Sequence, residues 1–380
     1  MADGSSRGRV LVAGVSGVVG FAAAHRFAAD GGGFPSGSWD VVGLSRRRPD
    51  RLPPAVEHVG VDLADPASVA AAAPRLAGVT HLVYAALYEK PGLFAGWRER
   101  DQMERNLAML AHLLDRGLGG GAGLRHISLL QGTKAYGAHV HPIAVPGRER
   151  NPRDPHENFY WLQEDHLRDR QAAAGAGAWG LTILRPQVIW GEAQGGNMNA
   201  LPALGVYAAL LRAAGESLHW PGGLTPISEA VDADLLARVL SWAAVAPEAA
   251  NQTFNVTNGD VYTLRNVWPV IADAFGMEPG RDVPCSLAAT VPAREGEWAQ
   301  LVERFSLAAP TSLERFVGQS FLYADMLAGF GQTSFRSPAL VSTIKLRQAG
   351  FGHCVDTEDM FRRLVASMQA ARLFPPRNGW

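Results

Sequence analysis

An α/β fold built on a doubly wound parallel sheet is what these 380 residues predict, and three observations predict it. Short β-branched runs alternate with longer Ala- and Leu-rich segments through the first half. A turn with glycines three apart, 14-GVSGVVG-20, follows the first run and opens the first helical segment. After Arg185 the alternation gives way to a Gly-rich stretch and then to mainly helical sequence.

The spacing predicts strands at 9–13, 40–45, 56–61, 79–85, 124–130 and 180–186, with helices near 18–30, 66–76, 101–116 and 158–174. Six parallel strands with intervening helices complete a Rossmann-type, dinucleotide-binding sheet. Beyond it, 191-GEAQGGNMN-199 leads into a helix at about 200–215, followed by a returning strand at 252–257 and a helix at 263–276. From about 278 the chain reads as irregular and richer in Phe and Leu, and 117-GLGGGAG-123 reads as a turn. The expected organisation is a nucleotide-binding domain over 1–190, with 225–260 returning to it, and a smaller, mostly helical substrate-binding lobe over 191–380.

Composition narrows the partners. Hydrophobic residues make up 47% and charged residues 19%, and 35 basic against 36 acidic side chains leave a net charge of −1. Nothing in that balance favours nucleic acid or an anionic membrane, so a small molecule is the expected partner. Cys285 and Cys354 lie far apart without metal-ligand spacing and are expected as reduced, buried thiols, with no metal site. No apolar run approaches the ~20 residues that span a bilayer, and the N-terminus lacks a signal-peptide core, so the expected location is cytoplasmic.

The glycine run has a physical purpose. Gly14, Ser16, Gly17, Val18, Val19 and Gly20 make the turn tight, let backbone N–H groups approach a pyrophosphate and pack a helix on its strand. An NAD site usually ends the second strand in a carboxylate for the ribose hydroxyls, whereas 44-LSRRRP-49 offers Ser45, Arg46 and Arg47, donors suited to a 2′-phosphate. The cofactor this implies is NADP(H). Asp62 and Leu63 after the third strand suit the adenine, and the small Ala85 and Ala86 after the fourth let the cofactor pass the backbone.

The fifth strand ends in 128-SLLQGTKAYG-137, which places Leu130, Gln131 and Lys134 at the carboxyl edge where open α/β sheets bind ligands. The next helix opens 158-NFYWLQED-165. Short-chain dehydrogenases usually present Tyr-x-x-x-Lys on that helix, yet the residue four after Tyr160 is Glu164.

In these motifs the chain resembles the progesterone 5β-reductase and iridoid synthase-like family of extended short-chain dehydrogenases/reductases. The glycine turn, 46-RR-47, 132-GTK-134 and 158-NFY-160 occur in that family's order, supported by 184-LRPQVIWG-191, 232-DADLLARVLSWAAV-245 and 253-TFNVTNGDVYTLRNVW-268. The resemblance runs from about 9 to 276. It implies that Tyr160 is the catalytic tyrosine and Lys134 its partner, an ammonium that lowers the phenol's pKa and adds to the field on a substrate oxygen. It also implies that Arg185 and Pro186 begin a turn at the cofactor, that Val188 and Ile189 lie along the nicotinamide, and that Asn197 and Met198 contact the cofactor again.

Trp161 stands where plant members carry a second tyrosine, Leu130 where they have glutamine, and 86–102, an expected pocket wall, does not match them. The expected activity is NADPH-dependent reduction of the activated C=C of an enone or enal. The same machinery also serves carbonyl reduction of an aldehyde or ketone, and a non-catalytic NADP-binding regulator is the reading from a different class. An epimerase or dehydratase is disfavoured by Glu164. His141, His156 and His166 receive no role, and 316–327 either caps the pocket or forms a homodimer contact.

Overall fold

One seven-stranded parallel sheet organises the computed structural model, which describes residues 8–30, 39–175, 178–335 and 337–380. Its first six strands are β1 (Arg9–Ala13), β2 (Asp40–Ser45), β3 (Val56–Gly60), β4 (His81–Tyr84), β5 (His126–Leu130) and β6 (Gly180–Pro186). After the short β7 (Val188–Trp190), β8 (Leu218–Trp220) and β9 (Ala230–Asp232), the seventh strand is β10 (Gln252–Val256), paired in parallel with β6. The spatial order is β10-β6-β5-β4-β1-β2-β3, so the winding reverses between β1 and β4. A crevice opens outside the strand ends at that reversal, which is where such sheets bind ligands.

Both faces of the sheet are covered, which is why its strands are apolar on both sides. Val10, Val12, Val41, Val83, Leu184 and Phe254 pack beneath α1 (Val18–Ala29). Leu11, Val42, Leu82, Ile127, Leu181 and Ile183 point the other way, under α2 (Pro66–Leu76), α3 (Arg100–His112) and α4 (Phe159–Ala174). Each such side chain contributes about 1.5–3 kcal/mol of burial. The later chain supplies α5 (Ala200–Ala213) and then α6 (Ala233–Ala243), whose Leu235, Leu236, Val239 and Leu240 join the α1 face. The second half therefore contributes a helix and an edge strand to the nucleotide-binding layer.

A separate apolar core holds α5, α7 (Leu264–Ala274), α8 (Leu287–Thr290), α9 (Glu295–Arg304), α10 (Leu313–Val317), α11 (Ser320–Ala328) and α13 (Thr357–Ala370), beside the short strand β11 (Pro279–Asp282), while α12 (Ile344–Gln348) packs through Leu346 on the α1 face of the sheet. Trp298 stacks on Phe316 at 5.4 Å, and Trp220 meets Trp268 edge-on at 5.0 Å. The expectation of irregular chain beyond 278 is corrected by these helices. Three of them, α8, α10 and α12, span only four or five residues, too few for a helical period to show; Ser286 and Ser312 cap the first two, α12 has no side-chain cap, and Asp356 caps the longer α13. Both cysteines are free, but Cys354 is exposed, so the expectation of two buried thiols fails there.

Candidate active site

The turn after β1 is shaped by its glycines. Gly14 has φ +88°, and a Cβ there would lie 2.8 Å from the backbone of Ala85 and Ala86. A Cβ on Gly20 would sit 2.2 Å from the Gly14 carbonyl oxygen, so α1 packs directly on the turn it follows. Gly17 caps α1 without a side-chain hydrogen bond, and the helix has no acidic residue in its first turn. An uncapped helix N-terminus beside small residues fits the pyrophosphate of a dinucleotide, because its free N–H groups and positive end face the cleft.

From this turn a cavity of roughly 1230 Å³ runs along the carboxyl edge of the sheet into the helical lobe. Gly14, Ser16, Gly17, Val18, Val19, Ser45, Arg46, Asp62, Leu63, Ala85, Ala86, Leu130, Gln131, Lys134, Tyr160, Pro186, Val188, Ile189, Asn197 and Met198 all line it. Gly20, Arg47 and Arg185 are outside its lining. Gly20 serves packing, Arg47 is exposed and its carbonyl accepts from the Ser45 hydroxyl at 2.7 Å, and Arg185 is buried behind the wall. Asp62 Oδ1 accepts from Ala64 N at 3.0 Å, which fixes the loop at the far end.

Asn158 joins the two residues expected to act together. Its Oδ1 accepts from the Tyr160 N–H at 3.1 Å as the cap of α4, and its Nδ2 donates to the Lys134 carbonyl at 3.1 Å. The start of the tyrosine helix is thus tied to the short turn Thr133–Tyr136 that carries Lys134. Gly132 completes the junction, because a Cβ there would lie 3.3 Å from the Tyr160 hydroxyl and 3.4 Å from the Pro186 carbonyl.

The electrostatics differ from expectation. Burial raises the Tyr160 pKa above its ordinary value, Glu89 raises it further, and Arg185 opposes both. The phenol is held protonated, as a hydrogen-bond donor, and the opposing charge comes from Arg185 in place of the expected Lys134. Lys134 is itself pushed down to about 8 by burial, with Glu89 acting against the fall. Its Nζ lies over the Trp97 ring, 3.4 Å from the centroid. Trp97 Nε1 donates to Glu89 Oε1 at 3.1 Å.

Glu164 also has a place. Its Oε2 accepts from Gln131 Nε2 at 2.9 Å and its Oε1 from Arg168 Nε at 2.9 Å, while Gln131 Oε1 accepts from Arg185 Nε at 2.9 Å. The residue at the usual lysine position therefore orients Gln131 in the cavity wall. Trp161 faces away from the cavity, with the Arg153 guanidinium 4.2 Å over its ring, so the plant-like second tyrosine position is not a pocket position here.

A family model described as the NAD dependent epimerase/dehydratase family matches residues 10–257. The chain belongs to that family. Among members of known activity, it is 34% identical over 281 residues to an (S)-8-oxocitronellyl enol synthase of Nepeta cataria, covering 71% of this chain and 68% of that one. It is 29% identical over 381 residues to the (S)-8-oxocitronellyl enol synthase of Antirrhinum majus, covering 96% and 92%. A UDP-glucose 4-epimerase of Thermus thermophilus solved with NAD shares the fold at TM-score 0.64 and 17% identity, covering 96% of this chain and 99% of that one. This chain is thus an enzyme of the extended short-chain dehydrogenase/reductase type.

Within that family frame, the other end of the cavity is apolar, walled by Phe94, Val188, Met198, Leu322, Met326 and Leu327. The stretch 316–327 contributes to this wall through α11. Sequence reasoning missed Glu89 and Trp97 as individual residues, although both fall in the 86–102 segment expected to form a wall. Asn158, two residues before the tyrosine at a helix start, is legible in the sequence as a cap. Among the described residues no group of three His, Cys, Asp or Glu side chains is arranged to hold a metal. No described helix is long and apolar enough to cross a membrane.

Proposed function

We propose that the chain is an NADPH-dependent reductase that acts on the activated C=C of an enone or enal. The observation that carries this reading is the Tyr160 hydroxyl at the cavity wall beside Gly132 and Pro186, with Tyr160 joined to Lys134 through Asn158. In this reading Gly14, Ser16, Gly17, Val18 and Val19 hold the pyrophosphate, Arg46 the 2′-phosphate, and Asp62 and Leu63 the adenine. When bound, NADPH supplies the hydride.

The protein's own residues manage the charge that results. Hydride arriving at the β-carbon pushes an electron pair through the conjugated system onto the carbonyl oxygen. Tyr160 donates to that oxygen as its charge grows, and the Lys134 ammonium adds a positive field from the same cavity wall. Tyr160 keeps its proton and stabilises the enolate by hydrogen bonding, and uptake of a proton from solvent gives the enol. The plant relatives named enol synthases support 1,4-reduction over 1,2-reduction, since an enol is the immediate product of the former.

The test is NADPH consumption over a panel of enones, enals, ketones and aldehydes, with products identified. Saturated carbonyls or enols from the unsaturated substrates support the reading. Allylic alcohols would transfer the chain to carbonyl reduction, and no turnover on any of the four classes would remove both reductase readings. Arg46 predicts tighter binding of NADPH than of NADH, and equal affinities would remove it from cofactor selection.

A further inference from the structure

We infer that Glu89 and Trp97 form a positioning pair for Lys134: the carboxylate and the indole together hold the lysine ammonium in place and in its charged form at the reacting end of the cavity. The inference deepens the proposed reductase reading and rests on it only for the rate measurements below.

Three contacts carry it. Trp97 Nε1 donates to Glu89 Oε1 at 3.1 Å, which fixes both the carboxylate and the plane of the indole. The Lys134 Nζ sits 3.4 Å from the centroid of that same ring, a cation on the electron-rich face. Asn197, also in the cavity lining, hydrogen-bonds the Glu89 side chain as a second partner. One indole thus donates its N–H to the anion and offers its face to the cation. Both partners come from 85–99: Glu89 from a stretch without regular structure and Trp97 from the short 3₁₀ turn Ala95–Arg98.

The need for such a pair follows from the surroundings of Lys134. A lysine in a desolvated site loses its proton readily. Its own loop contributes His139, which is held neutral by burial down to about 4. The facing wall contributes Arg98, whose guanidinium donates to the His139 carbonyl at 2.7 Å and adds a like charge. Tyr160 from α4 and Tyr323 from α11 face the same region, and burial holds both phenols protonated and neutral. Arg185 lies behind the wall with a further positive charge. Glu89 is therefore the anion that favours the charged lysine from within the cavity. Burial pushes the Lys134 pKa to about 8 even with Glu89 acting against the fall. The glutamate's own pKa is raised by burial, and Lys134, Trp97 and Asn197 lower it. The two charges hold each other.

The sequence makes the measurement direct, because the chain contains three lysines, Lys90, Lys134 and Lys345. With the lysine ε-carbons labelled, NMR titration of the full chain follows three resonances, assigned through Lys90→Arg and Lys345→Arg. Glu89→Gln keeps an oxygen for the Trp97 N–H and removes the charge. It is expected to lower the Lys134 midpoint by about one unit, an effect of the size an adjacent opposite charge produces, and Glu89→Asp should restore most of it. Trp97→Leu, which removes the ring, should also lower the midpoint, while Trp97→Phe should lower it less. A Lys134 midpoint unmoved by Glu89→Gln overturns the inference, as does one moved equally by Glu89→Asp.

Turnover supplies a second reading. A one-unit fall from about 8 leaves roughly one-tenth of Lys134 charged at pH 8 instead of one-half. Glu89→Gln should therefore cut NADPH-dependent turnover about fivefold at pH 8 and barely change it at pH 6. A uniform loss at both pH values means Glu89 only shapes the wall and overturns the inference. If no enone or enal is turned over by the wild-type chain while the Lys134 midpoint still shifts, the positioning pair stands and the reductase reading falls.

Discussion

Replacing Asn158 by Ala tests whether the cap of α4 is what aligns Tyr160 with Lys134. Asn158 is buried, 5% exposed, so water does not substitute for it. Losing the cap of the Tyr160 N–H costs about 1 kcal/mol, and losing the bond to the Lys134 carbonyl costs about 1 more. That carbonyl still accepts from Gly137 N at 3.1 Å, so no orphaned acceptor adds to the sum. At about 2.1 cal/mol/K per residue, a chain of 380 residues melts with an entropy of about 0.8 kcal/mol/K. The expected fall in Tm is therefore only about 2–3 °C. The expected fall in turnover is much larger, on the order of 100-fold, because a shift of about 1 Å in a reacting group costs that much. Differential scanning calorimetry and steady-state kinetics with NADPH and a responsive enone measure the two effects. Asn158→Asp, which keeps the cap oxygen and lacks the donor, should recover most of the Tm and less of the rate. A variant that loses its Tm but keeps kcat within twofold would refute the alignment argument.

Three further expectations follow from the same geometry. Tyr160→Phe should lower turnover about 100-fold, the effect of one lost oxyanion donor, and leave NADPH affinity within twofold; undiminished turnover would remove the phenol from the mechanism. Gly20→Ala, with its Cβ 2.2 Å from the Gly14 carbonyl, should destabilise the fold by about 1–3 kcal/mol and weaken cofactor binding, while Gly17→Ala, with 3.4 Å to its nearest neighbour, should be tolerated in stability; equal melting shifts would contradict the packing account. Burial pushes the Glu229 carboxyl from its ordinary 4.5 up to about 7, although Val341 N donates to it at 2.8 Å. The folded state therefore keeps this proton longer than the unfolded chain, and the stability it contributes is full below pH 4.5 and lost by pH 7. Glu229→Gln should gain up to about 3 kcal/mol over wild type between pH 4 and pH 8 in denaturant melts, and a pH-independent difference would count against it.

Much of the cofactor end was legible because the features involved are local. A strand, a turn with glycines at fixed offsets and a helix occupy consecutive residues, so β1, Gly14, Gly17, Gly20 and α1 can be read without knowing what packs on them. The strand ends at Ser45, Asp62, Ala85 and Leu130 follow once the alternation is seen, since parallel strands present their carboxyl ends to one edge. The Lys134 and Tyr160 positions were legible as motif neighbours. Their link through Asn158 was open to reading as a cap, and only the bond from Asn158 Nδ2 to the Lys134 carbonyl required the fold.

The sequence by itself determined the layer architecture, the glycine turn and the strand ends that face the cleft, because hydrophobic period, turn chemistry and chain direction act over a few residues. Tertiary structure alone decided the electrostatic identity of the site. It put Glu89 and Trp97 against Lys134, set Arg185 behind the wall and tied Glu164 to Gln131, and it turned Trp161 away from the cavity. The contacts of Trp97 with Lys134, of Gln131 with Glu164 and of Arg185 with Gln131 join side chains tens of residues apart, which no local period brings together. A pKa depends on burial and on distances between such groups, and neither quantity exists until the chain has closed around them.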